Sequence, residues 1–338
     1  MTHSKPISDQ LMDYVCPACQ GGLESIESGY HCSPCNKSYP ILCGIPDFRL
    51  SSDRYLSLSD ERKKAKYLHD FGREHTLNAL VEEYYRITDD VPQNSAKQFA
   101  AYVLNGEARG AEILGALPST IGNCLDIGCA SAGTILAAKR RGINITGVDI
   151  ALRWLVIGAK RLSEVGLTGN LVCADAAALP FRPNQFDTVI AADFLEHIED
   201  PAQAISALNL QLAPEGIIYF SAANRYTLAP YPLAGMWGVG FLPDKLRRQY
   251  VLARKRVDTL RNATLMSPSI LSRLVEREGL TIISRAPLSI PPNAASLATI
   301  RSSLIKIYRA LRKIPVVREL MLLLGPAFEV VAQQKNKT

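Results

Sequence analysis

Between residues 123 and 284, short apolar runs alternate with stretches whose apolar residues recur every three or four positions. Short runs bounded by polar residues read as buried strands, and the three- and four-residue spacing reads as one face of a helix. Asn123–Ile127 is then a strand, followed by a helix from about Gly133 to Arg141. Ile143–Val148 is a second strand ending at Asp149, and its helix closes at Gly166. Leu171–Ala174 and Phe186–Ala192 are strand-like and end at Asp175 and Asp193. Asp200-Pro201 is an N-cap with proline at the first helical position, and that helix is expected to stop at Pro214-Glu215-Gly216 before the strand Ile217–Ser221. Ser267-Pro268 opens a helix ending at Gly279, the strand Leu280–Ser284 follows, and Phe328–Ala332 is the last strand. This alternation predicts an α/β fold with a mostly parallel, doubly wound sheet.

The chain outside the sheet reads differently. Residues 58–115 carry helical spacing, with Leu77, Leu80, Tyr84 and Ile87 on one face, and predict a helical cap. Residues 1–50 are turn-rich and hold Cys16-Pro17-Ala18-Cys19 and, after twelve residues, Cys32-Ser33-Pro34-Cys35. Two such pairs are a strong zinc signal, because four thiolates complete a tetrahedron and leave no position for water. Gly21-Gly22 and Asn36-Lys37 supply the turns that two metal knuckles require. A disulfide framework is the bland alternative. The remaining cysteines (Cys43, Cys124, Cys129 and Cys173) lie mostly in apolar, strand-like surroundings, which suggests a reducing, cytoplasmic setting. The polar first ten residues show no apolar signal core, and Tyr226–Pro243 is too rich in proline and glycine for a spanning helix. The expected division is a zinc-binding module over 1–50, a helical linker or cap over 51–115, and a catalytic domain over 116–338. Insertions on the acceptor side are expected at about 226–262 and 286–320.

Composition adds one asymmetry. The 338 residues are 47% hydrophobic and 21% charged, with net charge +6, which by itself does not imply nucleic acid. Yet residues 11–49 carry −2 and residues 285–338 carry +7, so an anionic partner should meet the C-terminal half. Lys245, Arg247, Arg248, Arg254, Lys255 and Arg256 form a basic run, and Leu297, Ile300, Leu304, Ile307, Leu311 and Ile314 form an apolar stripe flanked by Arg301, Lys306, Arg309, Arg312 and Lys313. Such a helix either packs on the domain with its cations in water or makes peripheral contact with an anionic membrane, here its inner face.

Ligands of open α/β sheets bind beyond the carboxyl ends of the strands, where Asp126, Asp149 and Asp175 fall. Gly128-Cys129-Ala130-Ser131-Ala132-Gly133 has a dinucleotide-like spacing. Asp126 opposes that reading, since a carboxylate there would face a pyrophosphate. It suits instead the cationic amino and sulfonium region of S-adenosylmethionine (SAM), with Asp149 on the ribose hydroxyls and Asp175 on the adenine amino group. Ala130 and Ala132 stand where glycine is common, and each is expected to add a methyl group near the cofactor.

The segments LDIGCASAG, GVDIA, CADAAALPF, FDTVIAADFLEHIEDP and LAPEGIIYFSAANR resemble the class I SAM-dependent methyltransferases over roughly residues 110–225 and the final strands. The resemblance implies a Rossmann-like seven-stranded sheet. It also implies a methionine contact from Asp126, Gly128, Ala130 and Gly133, a ribose contact from Asp149 and Ile150, and an adenine contact from Asp175 and Ala176, with Asp193 closing the site. Residues 39–48, following the second cysteine pair, resemble short zinc-ribbon modules found beside methyltransferases.

Acceptor-side residues are expected after the fourth and fifth strands: Asp193, Glu196 and His197, then Asn224, Arg225 and Tyr226. His197 is either a base for a hydroxyl acceptor or a loop-pinning residue. Asp193, Glu196 and His197 would also offer Mg2+ two carboxylates and an imidazole, the lesser reading because Leu-Glu-His is common among members that need no metal. Trp237, Tyr231 and Phe241 either line an apolar or sugar-binding surface or pack their loop down. The expected reaction is O-methylation of a small-molecule, saccharide or lipid-linked acceptor. Two rivals stand beside it: an rRNA base methyltransferase with a zinc ribbon, disfavoured by the acidic N-terminal module, and a non-catalytic methyltransferase-like subunit that binds a partner, motivated by Ala130 and Ala132.

Overall fold

A computed structural model of the protein describes residues 13–53, 55–88, 91, 93–118, 121–255, 260, 263–292 and 299–335. Arg256 and Leu297 lie outside the described residues, as do the side chains of Ile300 and Arg301. The N-terminal strands β1 (Glu24–Ile26), β2 (Gly29–Cys32), β3 (Lys37–Leu42) and β4 (Ile45–Pro46) form an antiparallel meander. Four helices follow: α1 (Leu58–Glu74), α2 (Leu77–Arg86), α3 (Gln93–Leu104) and α4 (Gly106–Ala116).

The remaining elements build one large sheet in chain order. They are β5 (Cys124–Ile127), α5 (Gly133–Arg140), β6 (Ile145–Asp149), α6 (Leu152–Ser163), β7 (Asn170–Cys173), β8 (Phe186–Ala192), α7 (Pro201–Gln211) and β9 (Leu212–Ala223). After them come α8 (Asp244–Lys255), α9 (Pro268–Arg277), β10 (Leu280–Pro287), α10 (Thr299–Leu311), α11 (Pro315–Leu324) and β11 (Ala327–Gln334). The strand order is β10-β11-β9-β8-β5-β6-β7, and only the pairings made by β11 are antiparallel. Strand residues alternate between two cores, as a sheet covered on both faces requires. Leu125 and Ile127 pack on the side of α7 and α9, whereas Cys124 and Ile145 pack on the side of α5 and α6.

Two boundaries at the sheet differ from expectation by three residues or more. Helix α7 is capped as foreseen, with the Asp200 carboxylate accepting from the Ala202 and Gln203 amides, both at 3.0 Å. It ends earlier, at Gln211, because Leu212 already pairs with Phe186. Pro214-Glu215-Gly216 then bulges between that rung and the next, Thr188 with Ile217. Strand β10 runs on to Pro287 because its whole length pairs with β11.

The meander is tied into the sheet rather than tethered to it. Phe48 N–H donates to the Cys173 carbonyl at 2.8 Å, so the chain after β4 adds a rung to the β7 edge. Phe48 is fully buried among Tyr14, Tyr30 and Tyr39, within the same core as the strands. Buried Arg49 clasps buried Asp47 through two hydrogen bonds of 2.8 Å and donates to the Ile150 carbonyl at 3.1 Å. Arg153, at the start of α6, pairs with buried Asp53 and Glu61. The loop after β6 is therefore tied to the N-terminal region by two arginines, Arg49 from that region and Arg153 from α6.

Candidate functional site

The turn after β5 is shaped by backbone conformations that side chains rarely adopt. Gly128, Ala130 and Ala132 have φ of 71°, 44° and 57°. The Gly128 and Cys129 amides donate to the Val148 carbonyl at 2.8 and 3.1 Å, folding the turn over the end of β6. Gly133 lies so close to Gly106 that an added Cβ would sit 2.4 Å from the Gly106 carbonyl carbon. Gly110 approaches the Thr134 backbone in the same way, at 2.5 Å. Glycines at 106 and 110 thus let α4 lie directly on the first turn of α5. The alanines behave unequally. Ala132 is fully buried with its methyl group against Gly158 of α6, so it does not face the crevice, contrary to expectation. Ala130 keeps its backbone role, donating to Asp149 Oδ2 at 2.9 Å.

Three acids stand at the strand ends as expected. Asp126 is buried, its Oδ2 has no hydrogen-bond partner, and burial followed by the nearby Asp149 charge pushes its pKa up to about 8. A buried carboxyl with an open oxygen suits a cationic group such as the amino group of SAM. Asp149 is also raised by burial, although the amides of Ala130 and Ala151 bind its two oxygens at 2.9 and 2.8 Å. Ile150 presents its carbonyl to Arg49. Asp175 caps its own turn by accepting from the Ala177 amide at 2.9 Å, with Ala176 buried beside it. The donor set fits SAM along this crevice.

The acceptor-side expectations fare differently. Asp193, at the end of β8, has φ of 51° and lines a cavity of about 330 Å³. Its carboxylate accepts from Arg109, from Tyr102 at 3.1 Å and from Ser221 at 2.9 Å. Glu196 turns inward from the following 3₁₀ turn and is buried with one oxygen unpartnered, and burial next to Asp193 pushes it up to about 8. His197 stands exposed on that turn and does not line the cavity. Among the described residues, Asp193, Glu196 and His197 do not bring their ligand atoms to one point, so the Mg2+ trio is not assembled.

Asn224 and Arg225 are not acceptor-facing. Asn224 is fully buried and its amide donates to the Leu322 and Leu323 carbonyls at 3.2 and 2.9 Å, clamping the end of α11. Arg225 donates to the Gly240 carbonyl at 2.9 Å and fastens the 226–243 loop. In that loop Tyr231 is buried, while Trp237 and Phe241 are exposed. The residues that the sequence reading missed are Arg109 and Tyr102 from the upstream helices, and Tyr219 with Glu329 from the sheet. Tyr219 donates to Glu329 at 3.2 Å, and burial raises the pKa of both.

The four cysteines converge. Their sulfur atoms all lie within 4.8 Å of one another, with Cys16–Cys35 and Cys19–Cys32 at 3.5 Å. Zinc–sulfur bonds of about 2.3 Å in a tetrahedron need sulfur separations only slightly wider. Gln20 and Asn36, each directly after a pair, share left-handed φ of 59° and 51°, so the two knuckles repeat one geometry.

Residues 125–220 match the family described as a methyltransferase domain. The ubiquinone biosynthesis O-methyltransferase of Chromobacterium violaceum is 29% identical over 171 residues, covering 50% of this chain and 68% of that protein. Its counterpart in Stutzerimonas stutzeri is 36% identical over 103 residues, covering 30% and 44%. Among solved structures, Haemonchus contortus phosphoethanolamine N-methyltransferase 2 with SAM overlays 73% of this chain and 60% of its own, at TM-score 0.47 and 16% identity. The matched domain over residues 125–220, the seven-stranded sheet and the acid-lined turn together support a class I SAM-dependent methyltransferase.

Proposed function

We propose that the protein O-methylates a small hydroxylated acceptor, of saccharide, lipid-linked or other small-molecule class, in the cavity beside Asp193. One observation carries this reading: a cavity of about 330 Å³ at the carboxyl ends of β8 and β9 is walled by Asp193, Arg109 and Tyr102, and the charge of Arg109 also reaches Asp126 of the cofactor turn. That volume suits a small molecule or the head of a larger one. The relatives named above as O-methyltransferases support oxygen as the acceptor atom.

Asp126 would hold the amino group of the cofactor, Asp149 and Ile150 the ribose, and Asp175 with Ala176 the adenine. When bound, SAM supplies an electrophilic methyl group. The protein's own contribution is alignment of the acceptor oxygen with the S–CH3 bond, which needs little covalent help. Asp193, fixed by Arg109, Tyr102 and Ser221, is placed to hold the acceptor hydroxyl and receive its proton as the oxygen–carbon bond forms. Cys16, Cys19, Cys32 and Cys35 would hold a structural zinc ion.

The test is transfer of labelled methyl from SAM to a panel of phenols, saccharides and lipid-linked hydroxyls, with rRNA as a further acceptor. Asp193→Asn should lower kcat about 100-fold or more while calorimetry shows SAM binding unchanged. Labelling confined to rRNA, or an Asp193→Asn variant as active as the parent, would overturn the reading.

A further inference from the structure

We propose that α10 and α11 form a docking face for an anionic lipid bilayer, placed at the mouth of the acceptor cavity. Leu304, Ile307, Ile314, Val316, Leu320 and Leu323 are each between 48% and 81% exposed, all within twenty consecutive residues. Single exposed apolar side chains are ordinary; a continuous group of this size marks a contact surface. Helix α10 is also turned the opposite way from a helix packed on a core. On α11, Val316, Leu320 and Leu323 share one face, and the opposite face sends Arg318 and Leu322 into a crevice of about 740 Å³. On α10 and just past its end, Arg309 and Arg312 point inward to Glu112 and Glu329, while Leu304 and Ile307 face out. Charged residues inside and leucines outside is the arrangement of a helix lying on an apolar phase.

Charge selects the occupant. Lys306 and Lys313 stand exposed around the apolar group, and residues 285–338 hold nine Lys or Arg against two Glu. A second copy of the chain packed on this face would bring those cations together, whereas anionic head groups neutralise them. No described helix is long and apolar enough to cross a membrane, so the contact is peripheral. The crevice behind the helices shares Glu112, Ser289 and Glu329 with the acceptor cavity. An amphiphilic acceptor residing in the bilayer would thus meet the site head first, a corollary that rests on the acceptor reading above.

Sedimentation with vesicles tests the docking face without any turnover, so its failure leaves the acceptor reading untouched. At low salt the full chain should be retained on phosphatidylcholine vesicles containing phosphatidylglycerol, less on phosphatidylcholine alone, and less again at high salt. The Ile307→Glu/Leu320→Glu variant should partition at least tenfold more weakly with an unchanged melting temperature. The milder Lys306→Gln/Lys313→Gln variant should lose most of the preference for anionic vesicles. Absence of retention on anionic vesicles, or equal retention of both variants, would refute the proposal. So would a stable dimer that the Ile307→Glu/Leu320→Glu variant splits.

Discussion

Two accessory regions meet the large sheet at opposite edges, and they treat their apolar residues in opposite ways. The cysteine meander adds a rung to β7 and drives Phe48 and Tyr39 into the shared core. The α10–α11 pair, beyond β10 at the other edge, leaves Leu304, Val316 and Leu320 in solvent. Both regions carry arginine–carboxylate pairs. Beside the meander, Arg49 and Asp47 are sealed, at 1% and 0% side-chain exposure. On α11, Arg318 and Glu319 are 49% and 60% exposed and 3.6 Å apart. The difference separates a region that holds the site in shape from one that faces outward.

The widest gap between the edges should appear on removing apolar groups. Phe48→Ala should cost about 3–5 kcal/mol, while Ile307→Ala should stay within about 0.5 kcal/mol, both read from urea titrations. Equal costs would erase the contrast. Next in size, Arg49→Met strands a buried carboxylate and should cost about 3 kcal/mol; Arg318→Met should change stability by less than about 1 kcal/mol. Arg49→Met should also weaken SAM binding, because it frees the Ile150 carbonyl; Arg318→Met should not.

A third effect, graded with pH, lies in the crevice that the meander braces. The Asp126 carboxyl is raised to about 8, above its unfolded value, so it favours the protonated folded state. The ligand-free protein should therefore lose stability as pH climbs from about 4 to about 8, at up to about 1.4 kcal/mol per pH unit. A cationic cofactor group favours the carboxylate, so SAM affinity should rise up to about tenfold per unit below pH 8, with a proton released on binding. Calorimetry in two buffers of different ionisation enthalpy measures that proton. Asp126→Asn should abolish the proton release and weaken the pH dependence of stability, to which Glu196, also raised to about 8, contributes separately.

Much of this was legible in residue order. The strands that carry Asp126, Asp149, Asp175 and Asp193 follow from short apolar runs, because a sheet covered on both faces leaves little choice of periodicity. What escaped depended on contacts between distant segments. Arg109 and Tyr102 reach Asp193 from helices more than eighty residues upstream. Gly106 and Gly110 were the available signal, since two small residues one helical turn apart mark a helix that approaches another backbone closely. Asn224 stood at the expected offset after β9, but β11 and α11 return beside it and take up its amide. Ala132 stood at a glycine position, yet its methyl group fills a gap against Gly158 rather than the crevice. At Glu196-His197, neighbours in sequence part company, since a 3₁₀ turn sends one side chain inward and the other out.

Strand β11 lies between β9 and β10 but is translated after both. Until it emerges from the ribosome, the nascent sheet has a gap with two open edges, and the cavity lacks the wall that Glu329 provides. The parallel strands β5–β8, which carry the cofactor acids, can pair well before that. Competence to hold the methyl donor should therefore precede competence to hold an acceptor, with the outward-facing helices already made when the last strand slots in.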